Sequence, residues 1–161
     1  MSKAITGDIY IEELKERKSE TCREILEALP EWFGIPEAVD GYVKGVADLP
    51  MLVAKNQSGF VIGFISLKPK TSSAVEAYVL GIRREWHRKG IGRQLFEAAE
   101  SLARKLDARF LTVKTLADTN PDPHYRATRL FYEAIGFEPI EVFPTLWSPK
   151  NPCLLMVKTL E

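Results

Sequence analysis

Hydrophobic positions recur along this chain with two periods, one helical and one of strand type. Residues 19–29 place Cys22, Ile25, Leu26 and Leu29 on one helical face, and Pro30 ends the segment. Pro36, followed by Glu37, Ala38 and Val39, predicts a second helix start with proline in the first turn. Three strands are predicted next, over 51–54, 60–67 and 74–82. The segments between them, Asn56-Gln57-Ser58-Gly59 and Pro69-Lys70-Thr71-Ser72, have turn chemistry, so an antiparallel meander is expected. The strongest helical pattern covers 90–106. There Ile91, Leu95, Ala98, Ala99, Leu102 and Leu106 form an apolar stripe, with Arg93, Glu97, Glu100, Arg104 and Lys105 outside it. Glu100 and Arg104 stand in the favourable i,i+4 orientation. A strand over 110–116, a loop over 117–123, a helix over 128–135 closed by Gly136 and a strand over 154–159 complete the pattern. The order α, α, β, β, β, α, β, α, β predicts a mixed α/β layer rather than a doubly wound sheet.

A chain of 161 residues makes about one domain, since single domains cluster near ~100–200 residues, so one domain over 1–161 is expected. Lys and Arg number 22 against 22 Asp and Glu, a formal net charge of zero, which argues against a partner as anionic as nucleic acid. With 45% hydrophobic and 27% charged residues the chain has the composition of a globular protein, not a disordered one. The start, Met1-Ser2-Lys3-Ala4-Ile5-Thr6-Gly7-Asp8, contains no apolar leader, and no apolar run approaches the ~20 residues of a membrane span. A cytoplasmic protein is therefore expected. Cys22 and Cys153 lie among apolar neighbours and read as buried thiols rather than a bridge. With neither CxxC nor HExxH, and with His87 and His124 the only histidines, no metal site is expected.

The most informative segment is the passage from the third strand of the meander into the strongest helix. It reads Gly81-Ile82-Arg83-Arg84-Glu85-Trp86-His87-Arg88-Lys89-Gly90-Ile91-Gly92-Arg93. Free N–H groups at a helix N-terminus carry roughly half a positive charge, and glycines let a ligand come close to the backbone. Arg88 and Lys89 add full charges, so an anion site is expected. The alternative is a tight turn whose charges are merely solvated. The P-loop pattern GxxxxGK[ST] is absent, and Leu95 stands where a dinucleotide fingerprint needs a small residue.

Residues 74–106 resemble the signature region of the GNAT superfamily of acyl-CoA-dependent N-acyltransferases. Their Gln/Arg-x-x-Gly-x-Gly/Ala motif corresponds to His87-Arg88-Lys89-Gly90-Ile91-Gly92, with histidine replacing the usual first residue. Downstream, Leu130-Phe131-Tyr132-Glu133-Ala134-Ile135-Gly136-Phe137 resembles the family's (L/F)-Y-x-x-x-G-F helix ending. The resemblance covers about residues 50–160. It implies an α+β fold with a central, mixed, mostly antiparallel twisted sheet flanked by helices, two strands being splayed at an acetyl-CoA site.

It further implies that the acetyl-CoA pyrophosphate meets the N–H groups of residues 88–93, beside the His87 donor, with Ile91 and Gly92 in the first helical turn. The pantetheine arm would run along Leu80 and Ile82. A bulge near Leu80-Gly81 would aim a backbone N–H at the thioester oxygen. Tyr132 would protonate the departing thiolate, the alternative being a tyrosine packed beside Phe131 and Phe137. Glu76 would act as base or water-orienting group, the alternative being a carboxylate on the rim of the strand. The family's frequent Asn seven residues before the tyrosine is replaced by Tyr125.

The acceptor groove in such folds implicates Trp32 and Phe33 between the first helices, and Trp147 in a loop over 144–149. These aromatics could receive an amine by cation–π contact, or could simply pack at a helix corner. Glu31, Glu37, Asp40 and Asp48 outnumber Lys44 in their neighbourhood, which favours a cationic acceptor. His124 could line the same groove or lie on a surface loop. Two functions remain open: an N-acetyltransferase acting on a small or protein amine, and a silent acyl-CoA sensor or interaction module. A homodimer is compatible with either.

Overall fold

A computed structural model of the chain describes residues 9–161; the leader reading of residues 1–8 lies outside them. The element order is β1 (Tyr10–Leu14), α1 (Lys18–Glu27), α2 (Pro36–Gly45), β2 (Met51–Lys55), β3 (Val61–Pro69), β4 (Ala74–Ile82), α3 (Ile91–Lys105), β5 (Phe110–Leu116), α4 (Pro123–Ala134), β6 (Glu138–Ser148) and β7 (Asn151–Thr159). Two short 3-10 turns, Val46–Asp48 and Arg84–Trp86, complete it. The strands form a seven-stranded sheet in the order β1-β2-β3-β4-β5-β7-β6. Antiparallel ladders join β1 to β2, β2 to β3, β5 to β7 and β6 to β7. The β4–β5 ladder is parallel and pairs Ala74, Val75 and Glu76 with Phe110, Leu111 and Thr112. A mixed, mostly antiparallel sheet flanked by helices is thus the architecture, as the sequence implies.

The chain divides into two compact units. The first holds residues up to Lys68 together with Ala77–Leu102. Its core joins Cys22, Ile25 and Leu26 of α1, and Leu29 just after it, to Val53 of β2, Phe64 of β3 and Val79 of β4. Gly81 explains how α1 lies so near β4. A Cβ there would stand 3.0 Å from Ile25 Cγ2 and 3.3 Å from Leu29 Cδ1. This glycine serves close helix packing, which is a sufficient reason for its place in a strand.

The second unit holds Pro69–Glu76 and Ala103–Glu161. On β5, Leu111, Val113 and Thr115 alternate inward in the period-2 pattern of a half-buried strand. Helix α4 begins at Pro123, five residues before the predicted start at Thr128. Asp122 caps it by accepting from the N–H groups of His124 (2.8 Å) and Tyr125 (3.3 Å), and Pro123 occupies the first turn. Loop-like composition therefore concealed a cap followed by a helix. The other end matches expectation: Gly136 has φ +107°, its N–H bonds Glu133 O, and the Phe137 N–H bonds Tyr132 O at 3.0 Å. Those two bonds make a left-handed Schellman cap.

Three further expectations need correction. Strands β1 and β6 had no sequence signal. The first is only five residues long with two adjacent glutamates, and the second is an edge strand carrying Pro139 and Pro144, which breaks its alternation. Residues 144–148, expected as a loop, belong to β6. The face of α3 is also rotated from the predicted stripe: Phe96, Ala103 and Glu100 are buried, while Leu106 is exposed. Both cysteines are free and buried, and burial pushes the Cys22 thiol up to about 12 and the Cys153 thiol to about 11. Among the described residues no helix is long and apolar enough to cross a membrane. Replacing Gly81 by Val should cost about 1–3 kcal/mol, because α1 must shift away from β4. Urea denaturation measures this, and a midpoint equal to wild type would refute the packing role.

Candidate functional site

The candidate anion site begins where β4 ends. Beyond Ile82, the Arg83 N–H bonds Ile62 O at 2.8 Å, and the 3-10 turn closes through Trp86 N–H to Arg83 O and His87 N–H to Arg84 O. The backbone then turns left-handed at Arg88 (φ 61°) and again at Gly90 (φ 82°). Helix α3 starts with Gln94 N–H donating to Gly90 O at 3.2 Å. Among the described residues, the N–H groups of 88–93 donate to no protein acceptor. The result is a run of free donors at the head of a fifteen-residue helix, where its dipole is positive. Glycine adopts the left-handed form freely, whereas Arg88 does so at a cost of about 1–3 kcal/mol. Strain of this kind at a donor-rich turn fits a binding role.

The charges around the turn divide into two groups. Arg83 is a fastener: its Nε–H bonds Val61 O at 2.8 Å, its guanidinium stacks 4.5 Å from the Phe60 ring, and it pairs with Glu24 of α1. Arg84 makes a two-pronged contact with both Glu31 carboxylate oxygens, each at 2.7 Å. These two arginines therefore tie the turn to α1 and the segment after it. Arg88, Lys89 and Arg93 form no ion pair among the described residues, so three cations of the turn rather than five are left without an acidic partner. The acidic cluster shrinks in step, since Glu31 is held by Arg84 and Asp40 by Arg23 at 3.0 Å.

His87, expected as a donor beside the phosphates, turns one ring nitrogen back to the end of β4. Its Nε2 lies 2.6 Å from Ile82 O. A carbonyl can only accept, so Nε2 carries the proton and gives it to β4. The Trp32 ring packs edge-on against His87 at 5.5 Å. One proposed acceptor residue and one proposed cofactor residue therefore meet in the first unit. Phe33, the other aromatic of this segment, stacks edge-on against Tyr42, and Tyr42 against Tyr78. The last two, on α2 and β4, continue the aromatic row beyond what the sequence singled out, and all four of these aromatics are partly buried and pack against the core of the first unit. Leu80 and Ile82 are half-buried on β4, in the same unit as the turn.

In the second unit, Glu76 is only 5% exposed, so it is not a rim carboxylate. The Lys114 ammonium donates to it at 3.0 Å, and Lys70 stands 3.7 Å away. Tyr132 occupies the last turn of α4, also 5% exposed, with ring contacts to Phe131 at 5.9 Å and Phe137 at 5.7 Å. Arg129, which the sequence did not single out, is buried and donates to Leu116 O at 2.7 Å, fixing α4 to the end of β5. His124 is exposed in the first turn of α4, with Nδ1 3.4 Å from Asp122. Tyr125 lies in the same turn. Trp147 is 41% exposed on β6. Among the described residues, no cluster of His, Cys, Asp or Glu is suited to a metal.

A family model described as an acetyltransferase (GNAT) domain matches residues 47–139. Solved structures share the fold. A GNAT-family acetyltransferase from Desulfovibrio desulfuricans has 17% identity and a TM-score of 0.79, covering 95% of this chain and 99% of that one. An aminoglycoside 6'-N-acetyltransferase from Enterococcus faecium has 18% identity and a TM-score of 0.71, covering 94% and 97%. A GNAT acetyltransferase from Elizabethkingia anophelis, solved with acetyl-CoA bound, has 17% identity and a TM-score of 0.70, covering 95% and 99%. No curated protein sequence matches significantly.

The buried Glu76–Lys114 pair makes a direct prediction. Lys114→Met leaves a buried carboxylate with only the more distant Lys70, and should cost about 2–3 kcal/mol. Adding Glu76→Met should recover most of that loss. Thermal denaturation compares the two, and equal losses would contradict the pairing.

Proposed function

Because this chain belongs to the GNAT family of acetyltransferases, we propose that residues 1–161 act as one N-acetyltransferase domain. It moves the acetyl group of acetyl-CoA to a primary amine by direct attack of the amine on the thioester. The observation that carries this reading is the run of free N–H groups at 88–93 beside Arg88, Lys89 and Arg93. Its donor and charge pattern suits a diphosphate, and its position between β4 and α3 matches the family motif. Leu80 and Ile82 follow the pantetheine arm, and a backbone N–H near Leu80-Gly81 receives the charge that develops on the thioester oxygen.

An alkyl amine must lose a proton before attack, which costs about 4–5 kcal/mol at neutral pH. Attack forms the new C–N bond, and collapse of the tetrahedral adduct breaks the C–S bond. Tyr132 protonates the leaving thiolate, and the amine's surplus proton passes to water, from which the tyrosinate is reprotonated. Glu76 suits an orienting role better than that of primary base, since it is buried and its carboxylate is held by the Lys114 ammonium at 3.0 Å. The same pairing favours one second reading, a domain that binds acyl-CoA without transferring it.

Trp32 and Phe33 offer aromatic faces to the acceptor, with Trp147 a further candidate. Within residues 31–48, Glu37 and Asp48 are left against Lys44 once Glu31 and Asp40 are paired, a small acidic excess that favours a cationic amine over a neutral one. A protein N-terminus or lysine belongs to the same chemical class. The domain is proposed to work in the cytoplasm, as a homodimer or alone, with no metal and no nucleic-acid partner.

Thiol release from acetyl-CoA, measured across polyamines, aminoglycosides, amino-acid amines and peptides, tests the proposal. At least one acceptor should accelerate release, and Tyr132→Phe should lower kcat roughly 100-fold or more with the acetyl-CoA KM little changed. CoA binding without acceptor-dependent release would support the silent module. Full activity in Tyr132→Phe would remove that residue as the acid.

A further inference from the structure

The free donors at 88–93 begin abruptly, and His87 stands at their threshold. Its backbone N–H closes the 3-10 turn, and its side chain returns to the end of β4 through Nε2–H to Ile82 O. Trp32 packs edge-on against the imidazole, with ring centroids 5.5 Å apart. The next residue, Arg88, is left-handed at φ 61°. A residue bearing a Cβ keeps that conformation only where its surroundings leave no easier one. The Arg88 side chain makes no ion pair among the described residues, so its own contacts do not impose the conformation. On the far side, Gly90 is held by the Gln94 N–H bond to its carbonyl. On the near side, the fastening is the His87 imidazole.

We infer that His87 is a positioning residue for the anion turn. Its bond to Ile82 O, backed by Trp32, holds Arg88 left-handed and keeps the 88–93 amides directed at the diphosphate of a CoA ligand. This rests on the acetyl-CoA reading above and deepens it: the imidazole acts through the backbone, not by touching phosphate.

The test uses the full chain and coenzyme A, with affinity read by calorimetry. His87→Leu fills the space but cannot donate, and should weaken CoA binding about tenfold. Acetyl-CoA KM should rise in parallel while kcat at saturation stays within about twofold. In His87→Gln the amide nitrogen sits as far from Cβ as Nε2 does, so this variant should restore affinity to within about threefold of wild type. The decisive comparison is a double-mutant cycle with Arg88→Gly, since glycine adopts φ 61° without strain. If His87 acts by holding Arg88, His87→Leu should cost little in the Arg88→Gly background. An undiminished cost there would mean direct contact with phosphate and would overturn the inference. So would unchanged affinity in His87→Leu, or a glutamine variant as weak as the leucine one. In the ligand-free protein, ring nitrogen chemical shifts should report the Nε2–H tautomer, and an Nδ1–H tautomer would overturn the inference without reference to CoA. Failure of wild type to bind CoA would instead overturn the acetyl-CoA reading, and the tautomer would then decide the His87 tie alone.

Discussion

A helix cannot satisfy its own first N–H groups, and the candidate site here is built around that constraint. Asp122 caps those donors with its side chain at the head of α4, whereas α1 and α2 start without a side-chain cap. At the head of α3 the residue before the first turn is Gly90, which has no side chain to offer; its carbonyl starts the helix, and the donors before and after it stay free among the described residues. Keeping donors free requires the preceding chain to be held by other means. Ile62 O, Val61 O, Glu24, Glu31 and Ile82 O supply those fastenings, all of them to residues 83–87. The turn is firmly fixed up to His87 and open from Arg88 onward. That division of roles gives a preorganised row of amides without a ligand to hold it in place.

Charge follows the same division. The net charge of zero conceals local structure, yet the patches are smaller than the sequence suggests. Arg83 and Arg84 belong to the frame, and their partners Glu24 and Glu31 leave the acidic side correspondingly depleted. The three cations that remain at the turn are enough for a short dianionic group, which needs local donors more than a long-range field. Exposed ion pairs of this kind add little stability individually, so their main effect is geometric. In the second unit Glu76 shows the opposite arrangement. It is buried and matched, a placement that fixes the carboxylate in position.

Much of this was legible in the sequence. The α1 stripe, the three meander strands and the strand at 110–116 follow from periodicity, and the Gly136 cap follows from residue type. The free donors at 88–93 were foreshadowed by two glycines and the basic run at a strand–helix junction. Other features were not legible because they depend on contacts distant in sequence. Nothing local says that Arg83 meets Glu24 or that Lys114 meets Glu76. For His87 the sequence shows a donor beside the turn but cannot show that its ring nitrogen lies 2.6 Å from Ile82 O. Strand β6 was hidden because an edge strand tolerates prolines that a central one does not. The onset of α4 was misplaced because Asp-Pro reads equally well as a loop or as a cap with proline behind it.

The central claim is that the backbone of 88–93 receives the diphosphate of acetyl-CoA. Amide chemical shifts in the labelled protein, followed during titration with coenzyme A and with pantetheine lacking the diphosphate, test it directly. Coenzyme A should shift the resonances of residues 88–93 saturably, and pantetheine should leave them in place. Saturable binding of coenzyme A that leaves those amides unmoved would contradict the account.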